Sequence, residues 1–354
     1  MKRRDRQPKK KKRYDGRNRL CACALSLVLF LIFGSGCGAS SRLALPAERE
    51  VFAMDTVMTL TAYGKNAENA LVAAESEIFR LDALLSAQAD DSAVGMLNRE
   101  GSAVLDGDAK ALFEDALQMY DGTDGAFDMT VYPLMEAYGF PSGEYRVPEE
   151  EEIARLLEKV GSDRIGYDAE SGNVRLPEGV KIDLGGIAKG YTGDLLKESL
   201  SENGIESALL NLGGNVAVLG TKPDGSLWRV AVRDPSDPSG ISCILSVRDV
   251  SVVTSGGYER YFEKDGKTYH HILDPKTGKC ADSGLLSVTV IAQDGTEADA
   301  LSTAFFVMGK EKALEYIHKD PAAPDAVFIG EDGEITATEG LRGRITSEEN
   351  ITFE

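Results

Sequence analysis

The strand-rich second half of the chain most constrains the fold. SALLNLGGNVAVLG (207–220), WRVAVR (228–233), ISCILSVRDVSVVTSG (241–256) and LLSVTVIA (285–292) are short apolar stretches set off by glycine corners. YERYFE and KTYHHIL flank Asp265-Gly266, a two-residue signal for a tight hairpin. Strands joined by tight turns run antiparallel, whereas parallel neighbours need a crossover of about a dozen residues or more. The chain has no regular βαβ alternation and no internal repeat. The class this predicts is α+β with mainly antiparallel strands.

The first half supplies helices. NAENALVAAESEIFRLDALLS (66–86) places Leu71, Ala74, Ile78, Leu81 and Leu85 at spacings of three and four, an amphipathic helix. Residues 109–121 and 149–160 read as two more. VFAMDTVMTLTAYG (51–64) reads as a strand ended by Gly64, and VKIDLGGIAKGYTGDLL (180–196) as strand, glycine turn and helix.

The first 36 residues carry eleven Lys/Arg and two Asp, followed from residue 20 by the apolar run LCACALSLVLFLIFG. A basic segment, a short apolar stretch and small residues describe an export signal, and the run is short for a spanning helix. It ends in FGSGC, which puts Cys37 where a bacterial lipoprotein is cleaved and lipidated; an uncleaved anchor is the alternative. The expected organisation is an export signal over 1–36, a lipidated Cys37 and tether over 37–49, and one domain over 50–354. The protein is then held on the outer face of the cytoplasmic membrane.

From Cys37 onward 28 Lys/Arg face 56 Asp/Glu. Such a surface repels nucleic acid, so an anionic ligand would need local amides, a cation or a metal. Five cysteines do not make a disulfide framework: two lie in the signal and one is the lipid candidate. Cys243 and Cys280 could pair or remain two buried thiols. Three histidines and no CxxC argue against a His/Cys zinc cage.

Four stretches could carry chemistry. In EADALSTAFFVMG (297–309), Asp299 and Thr303 are four apart and share a helix face, a pairing that suits a hard oxygen-loving cation. Helix capping by Asp299 is the simpler explanation. In IDLGGIAKG (182–190), the glycines let backbone approach a ligand, with Asp183 before and Lys189 after; a plain glycine corner is the alternative. In YHHILDPKTGK (269–279), Asp274 to Gly278 form a type I turn beside His271, a structural histidine or a proton acceptor. TDGAFDMTVYPL (123–134) offers the Phe127 ring and the Asp128 carboxylate.

These stretches, with MDTVMTLTAYG, LNLGGNVAVLG and TSGGYERYF, occur in one order and spacing that resembles the ApbE family, the FAD:protein FMN transferases. The resemblance spans roughly residues 51–310 and implies an ApbE-like, T-fold-related architecture. It implies Mg²⁺-dependent cleavage of FAD (Mn²⁺ and Ca²⁺ being the other candidate cations), transfer of the FMN moiety to a Thr or Ser hydroxyl, and release of AMP. The implied partner is an exported flavoprotein with a D-x-x-[ST]-G-A-[ST]-like motif. Carried over, the metal ligands fall on Asp299, Thr303 and the carbonyl of Gly186. FAD contacts fall on Met54, Ala126, Phe127, Asp128, Asp183, Lys189 and Ile272, and His271 handles the acceptor's proton. Two positions depart from the family pattern: Gln88, where an aromatic is common, and Gly257, where a polar residue is common. An FAD pyrophosphatase and a non-catalytic flavin-binding lipoprotein are the alternative functions.

Overall fold

The computed structural model describes residues 45–237 and 239–354. The segment expected to be an export signal and Cys37 lie outside the described residues. The first strand begins at Ala47, inside the stretch read as tether.

One nine-stranded sheet organises the domain. Its strands are β1 (Ala47–Ala53), β2 (Thr56–Tyr63), β3 (Ser207–Leu212), β4 (Asn215–Gly220), β5 (Ser251–Gly256), β6 (Leu285–Ala292), β7 (Asp325–Gly330), β8 (Ile335–Ala337) and β9 (Ile351–Phe353). Their order across the sheet is their order in the chain, and every neighbouring pair is antiparallel except β8 and β9. This is the antiparallel α+β class that the glycine-punctuated strands predict.

β1 and β2 alternate buried and exposed residues, whereas the central strand β6 is buried along both faces. One face packs against helices. Leu71 and Ile78 of the Ala67–Leu85 helix and Leu196 of the Ala188–Glu202 helix meet Met58, Leu60 and Leu210. Leu301 and Phe305 of the Gly295–Met308 helix meet Val253, Val288 and Phe328. The other face packs on a three-stranded sheet of Trp228–Arg233, Ile241–Val247 and Ile345–Thr346, whose Val230 and Leu245 join Val252 and Ile291. Full burial of each such side chain stabilises the fold by about 1.5–3 kcal/mol. The long segment between β2 and β3 builds a further core around Leu97, Phe113, Phe127 and Val174, which reaches the sheet layer through Ala300 and Ala304.

Three expected strands are interrupted. The stretch 51–64 is a hairpin, with Met54 and Asp55 at φ 50° and 58° making a two-residue turn. The stretch 241–256 breaks at Asp249, φ 50°, so its halves enter different sheets. Residues 180–184 are extended but join no sheet. The Asn98 side chain stands in for a partner strand, donating through Nδ2 to the Ile182 carbonyl and accepting the Ile182 N–H through Oδ1, both at 2.8 Å. Asp265-Gly266 does turn the expected hairpin, between Tyr261–Lys264 and Lys267–His270.

Candidate functional site

The site begins where two helices meet at glycine. A Cβ on Gly190 would lie 2.0 Å from the Gly295 carbonyl oxygen and 2.8 Å from Asp299 Cβ, so only glycine allows the approach. Each helix then supplies the acceptor that the other's first turn lacks. Asp299 Oδ2 accepts the Gly190 N–H at 2.8 Å. Asp194 accepts the Gly295 and Thr296 N–H groups, both at 2.9 Å. Asp299 is therefore a cap, but of the neighbouring helix; its own helix is capped by Asp294 through the Glu297 N–H. Burial raises the Asp299 carboxyl above the usual carboxylate range, while nearby Lys189, the Asn215 side chain and the Gly190 amide act the other way.

The glycine corner before Lys189 is fixed from both sides. The Asp183 N–H donates to the Met129 carbonyl at 2.8 Å, and Asp183 Oδ1 accepts the Gly185 N–H at 3.0 Å. Burial pushes this carboxyl up, opposed by Gly185, Arg260 and Lys189. A Cβ on Gly186 would sit 3.2 Å from the Phe127 ring. Phe127 is largely core, 4% exposed. Asp128 Oδ1 takes three donors, the Thr130 amide and the hydroxyls of Thr130 and Ser162, so its carboxylate braces the loop.

Two hairpin tips close the next wall. Met54 holds a left-handed conformation that costs a side-chain-bearing residue about 1 kcal/mol. Its N–H donates to Asp82 Oδ1 at 3.1 Å. The β3–β4 tip, Gly213-Gly214, presses on it: a Cβ on Gly213 would lie 2.2 Å from Thr56 Oγ1. Asn215 follows, 6% exposed, with its Nδ2 buried beside the Asp299 carboxylate but outside close hydrogen-bond geometry with any described residue.

The last wall is polar. Ser255 Oγ lies 2.8 Å from Ser302 Oγ and 3.3 Å from Thr303 Oγ1. His271 Nδ1 lies 3.3 Å from the Arg260 carbonyl, which can only accept, so Nδ1 carries the proton and Nε2 is left with its lone pair. Burial, and then the Arg260 charge, lower the His271 pKa to about 3, so the ring is neutral at ordinary pH. The His270 ring packs where a Cβ on Gly257 would go, 2.9 Å away at its nearest atom.

These walls enclose a cavity of about 600 Å³. All eleven residues singled out above line it: Met54, Ala126, Phe127, Asp128 and Asp183 with Gly186, Lys189, His271, Ile272, Asp299 and Thr303. Gln88 lines it as well. So do Asp82, Asn215, Ser255 and Arg260, which the sequence reading did not single out. Asn215 and Ser255 stand beside glycine pairs, a usable signal; Asp82 and Arg260 carry none. Cys243 and Cys280 are free thiols.

The lining decides what could bind. Six carboxylates (Asp55, Asp82, Asp128, Asp183, Glu259, Asp299) face only Lys189 and Arg260 as fixed cations. A polyanion would be repelled unless a cation accompanied it. Among the described residues no three His, Cys, Asp or Glu side chains cluster to hold a metal. A cation would rest on one carboxylate, one hydroxyl and a main-chain carbonyl, an all-oxygen set that fits a hard divalent ion.

The ApbE family pattern matches residues 54–328. An FAD:protein FMN transferase from Treponema pallidum is 35% identical over 341 residues, covering 90% of this chain and 94% of the relative. One from Escherichia coli K12 is 32% identical over 251 residues, 68% of this chain and 72% of the relative. The crystal structure of the ApbE protein from Thermotoga maritima superposes with a TM-score of 0.80 at 34% identity, covering 85% of this chain and 99% of that one. The apo flavinyl transferase ApbE from Pseudomonas stutzeri gives 0.75 at 30% identity, covering 85% and 96%.

Proposed function

Since the chain belongs to the ApbE family, we propose that it transfers the FMN moiety of FAD to a Thr or Ser hydroxyl of an exported flavoprotein and releases AMP. The observation that carries this reading is the junction at Gly190. The Gly190 amide, in the helix that follows the glycine corner, lies 2.8 Å from Asp299 Oδ2, and corner and helix turn border one cavity with every residue assigned to flavin or metal.

Asp299, Thr303 and the Gly186 carbonyl would hold the divalent cation, Mg²⁺ in the first instance. When bound, it supplies positive charge that polarises the phosphorus and offsets the leaving oxygen. The rest belongs to the chain's own groups. Lys189 and Arg260, the two fixed cations of the lining, draw phosphate oxygens inward. His271 Nε2 takes the proton of the acceptor hydroxyl. The hydroxyl oxygen bonds to the FMN phosphorus as the bond to the AMP oxygen breaks, and His271 returns its proton to solvent. In this reading Cys37 anchors the protein to the membrane as a lipoprotein. Cys37→Ser would then move it to the soluble fraction, and retention on the membrane would count against the lipid anchor.

Mixing the protein with FAD, Mg²⁺ and an acceptor domain tests the reaction. The acceptor should gain the mass of FMN less water. An unmodified acceptor with AMP and free FMN accumulating would favour the pyrophosphatase. His271→Ala should slow transfer about a hundredfold or more while sparing FAD binding; lost binding would make His271 structural. Because its pKa lies near 3 and not 6.5, kcat/KM should show no His271 inflection between pH 5 and 8. An acid limb near 6.5 that disappears in His271→Ala would contradict this.

A further inference from the structure

The hydroxyl chain at the end of β5 has a direction. Ser302 Oγ lies 2.9 Å from the Asp299 main-chain carbonyl, and a carbonyl only accepts, so the one Ser302 proton goes there. In the 2.8 Å contact between Ser302 and Ser255, Ser255 must therefore donate. Its own proton is then committed, so in the 3.3 Å contact between Ser255 and Thr303 the donor is Thr303. A helical threonine usually turns its hydroxyl to the carbonyl four residues back. For Thr303 that carbonyl belongs to Asp299, which already holds Ser302. Thr303 thus gives its single proton to Ser255, and its remaining directions carry only lone pairs. Both residues line the cavity.

We propose that Ser255 is a positioning residue for cation binding: by accepting the Thr303 proton, it fixes Thr303 Oγ1 as an oxygen ligand and not a donor. The inference rests on the transferase reading and its cation at Asp299, Thr303 and Gly186. Without Ser255 the Thr303 proton is free to turn into the cavity, where it opposes a cation.

Mn²⁺ is a direct probe, titrated by electron paramagnetic resonance in the presence of FAD. Ser255→Ala should weaken Mn²⁺ about tenfold or more, the usual cost of losing a group that orients a ligand. Ser255→Thr keeps an accepting hydroxyl and suits a strand, so it should return the affinity to near wild type. In a Thr303→Val background, Ser255→Ala should add no further loss, because the partner it orients is gone. Wild-type affinity in Ser255→Ala, or an equal loss in both backgrounds, would overturn the inference and leave the transferase reading intact. If the unaltered protein with FAD binds no Mn²⁺, the cation assignment fails and the role of Ser255 falls with it.

Discussion

Asp299→Asn is expected to lower FMN transfer at least about a thousandfold while leaving the protein folded. Asn keeps an oxygen to accept the Gly190 N–H, and Asn and Asp cap helices about equally well. It removes the buried charge, whose desolvation the ligand-free fold must bear. Thermal stability should therefore hold or rise as activity disappears. Asp299→Ala should also be inactive, and less stable by about 1–3 kcal/mol, because a buried N–H loses its partner. Turnover and melting temperature measured together separate the two duties of this carboxylate. Near-normal turnover of Asp299→Asn at limiting Mg²⁺ would remove Asp299 from the metal site.

Gly190→Ala is expected to damage both the fold and the site with one added methyl group. Its Cβ would meet a main-chain oxygen at 2.0 Å and Asp299 Cβ at 2.8 Å, and neither is the free end of a flexible side chain. The two helices must separate, and both cross-helix caps loosen with them. A loss of about 3 kcal/mol is expected, with FAD binding impaired to match. Gly204→Ala is the comparison: nothing lies within 4 Å of a Cβ there, although its φ of +75° still imposes some strain. A Gly190→Ala protein that melts with Gly204→Ala and still binds FAD would show that the helices can shift without cost.

Much of this site is legible in the sequence because its elements are local. The 297–309 stretch declares a helix with oxygens on one face, and DLGGIAKG declares a corner that opens another. What the sequence conceals is non-local. Little in VFAMDTVMTL marks Met54-Asp55 as a turn: Asp55 tolerates a left-handed backbone, but Met54 does not favour one and no glycine follows. The turn is held by Asp82 on the far side of the β2 strand in sequence, and by the tip of β3 and β4. Residues 180–184 look like a strand because apolar Val180, Ile182 and Leu184 alternate with charged Lys181 and Asp183; only the fold shows that the Asn98 side chain occupies the place of a neighbouring strand. The partner of Asp299 is hidden for a related reason. Asp near a helix start predicts a cap, but which helix it caps depends on an approach 109 residues away in the chain.

The order of the sheet has a consequence for how the protein meets its surroundings. The chain enters β1 at Ala47, paired with Ala62, and reaches the cavity wall only at Met54. Seven residues of strand span about 20 Å. A molecule approaching the opening therefore meets Met54 at the opposite end of β1 from Ala47, where the described chain enters the sheet.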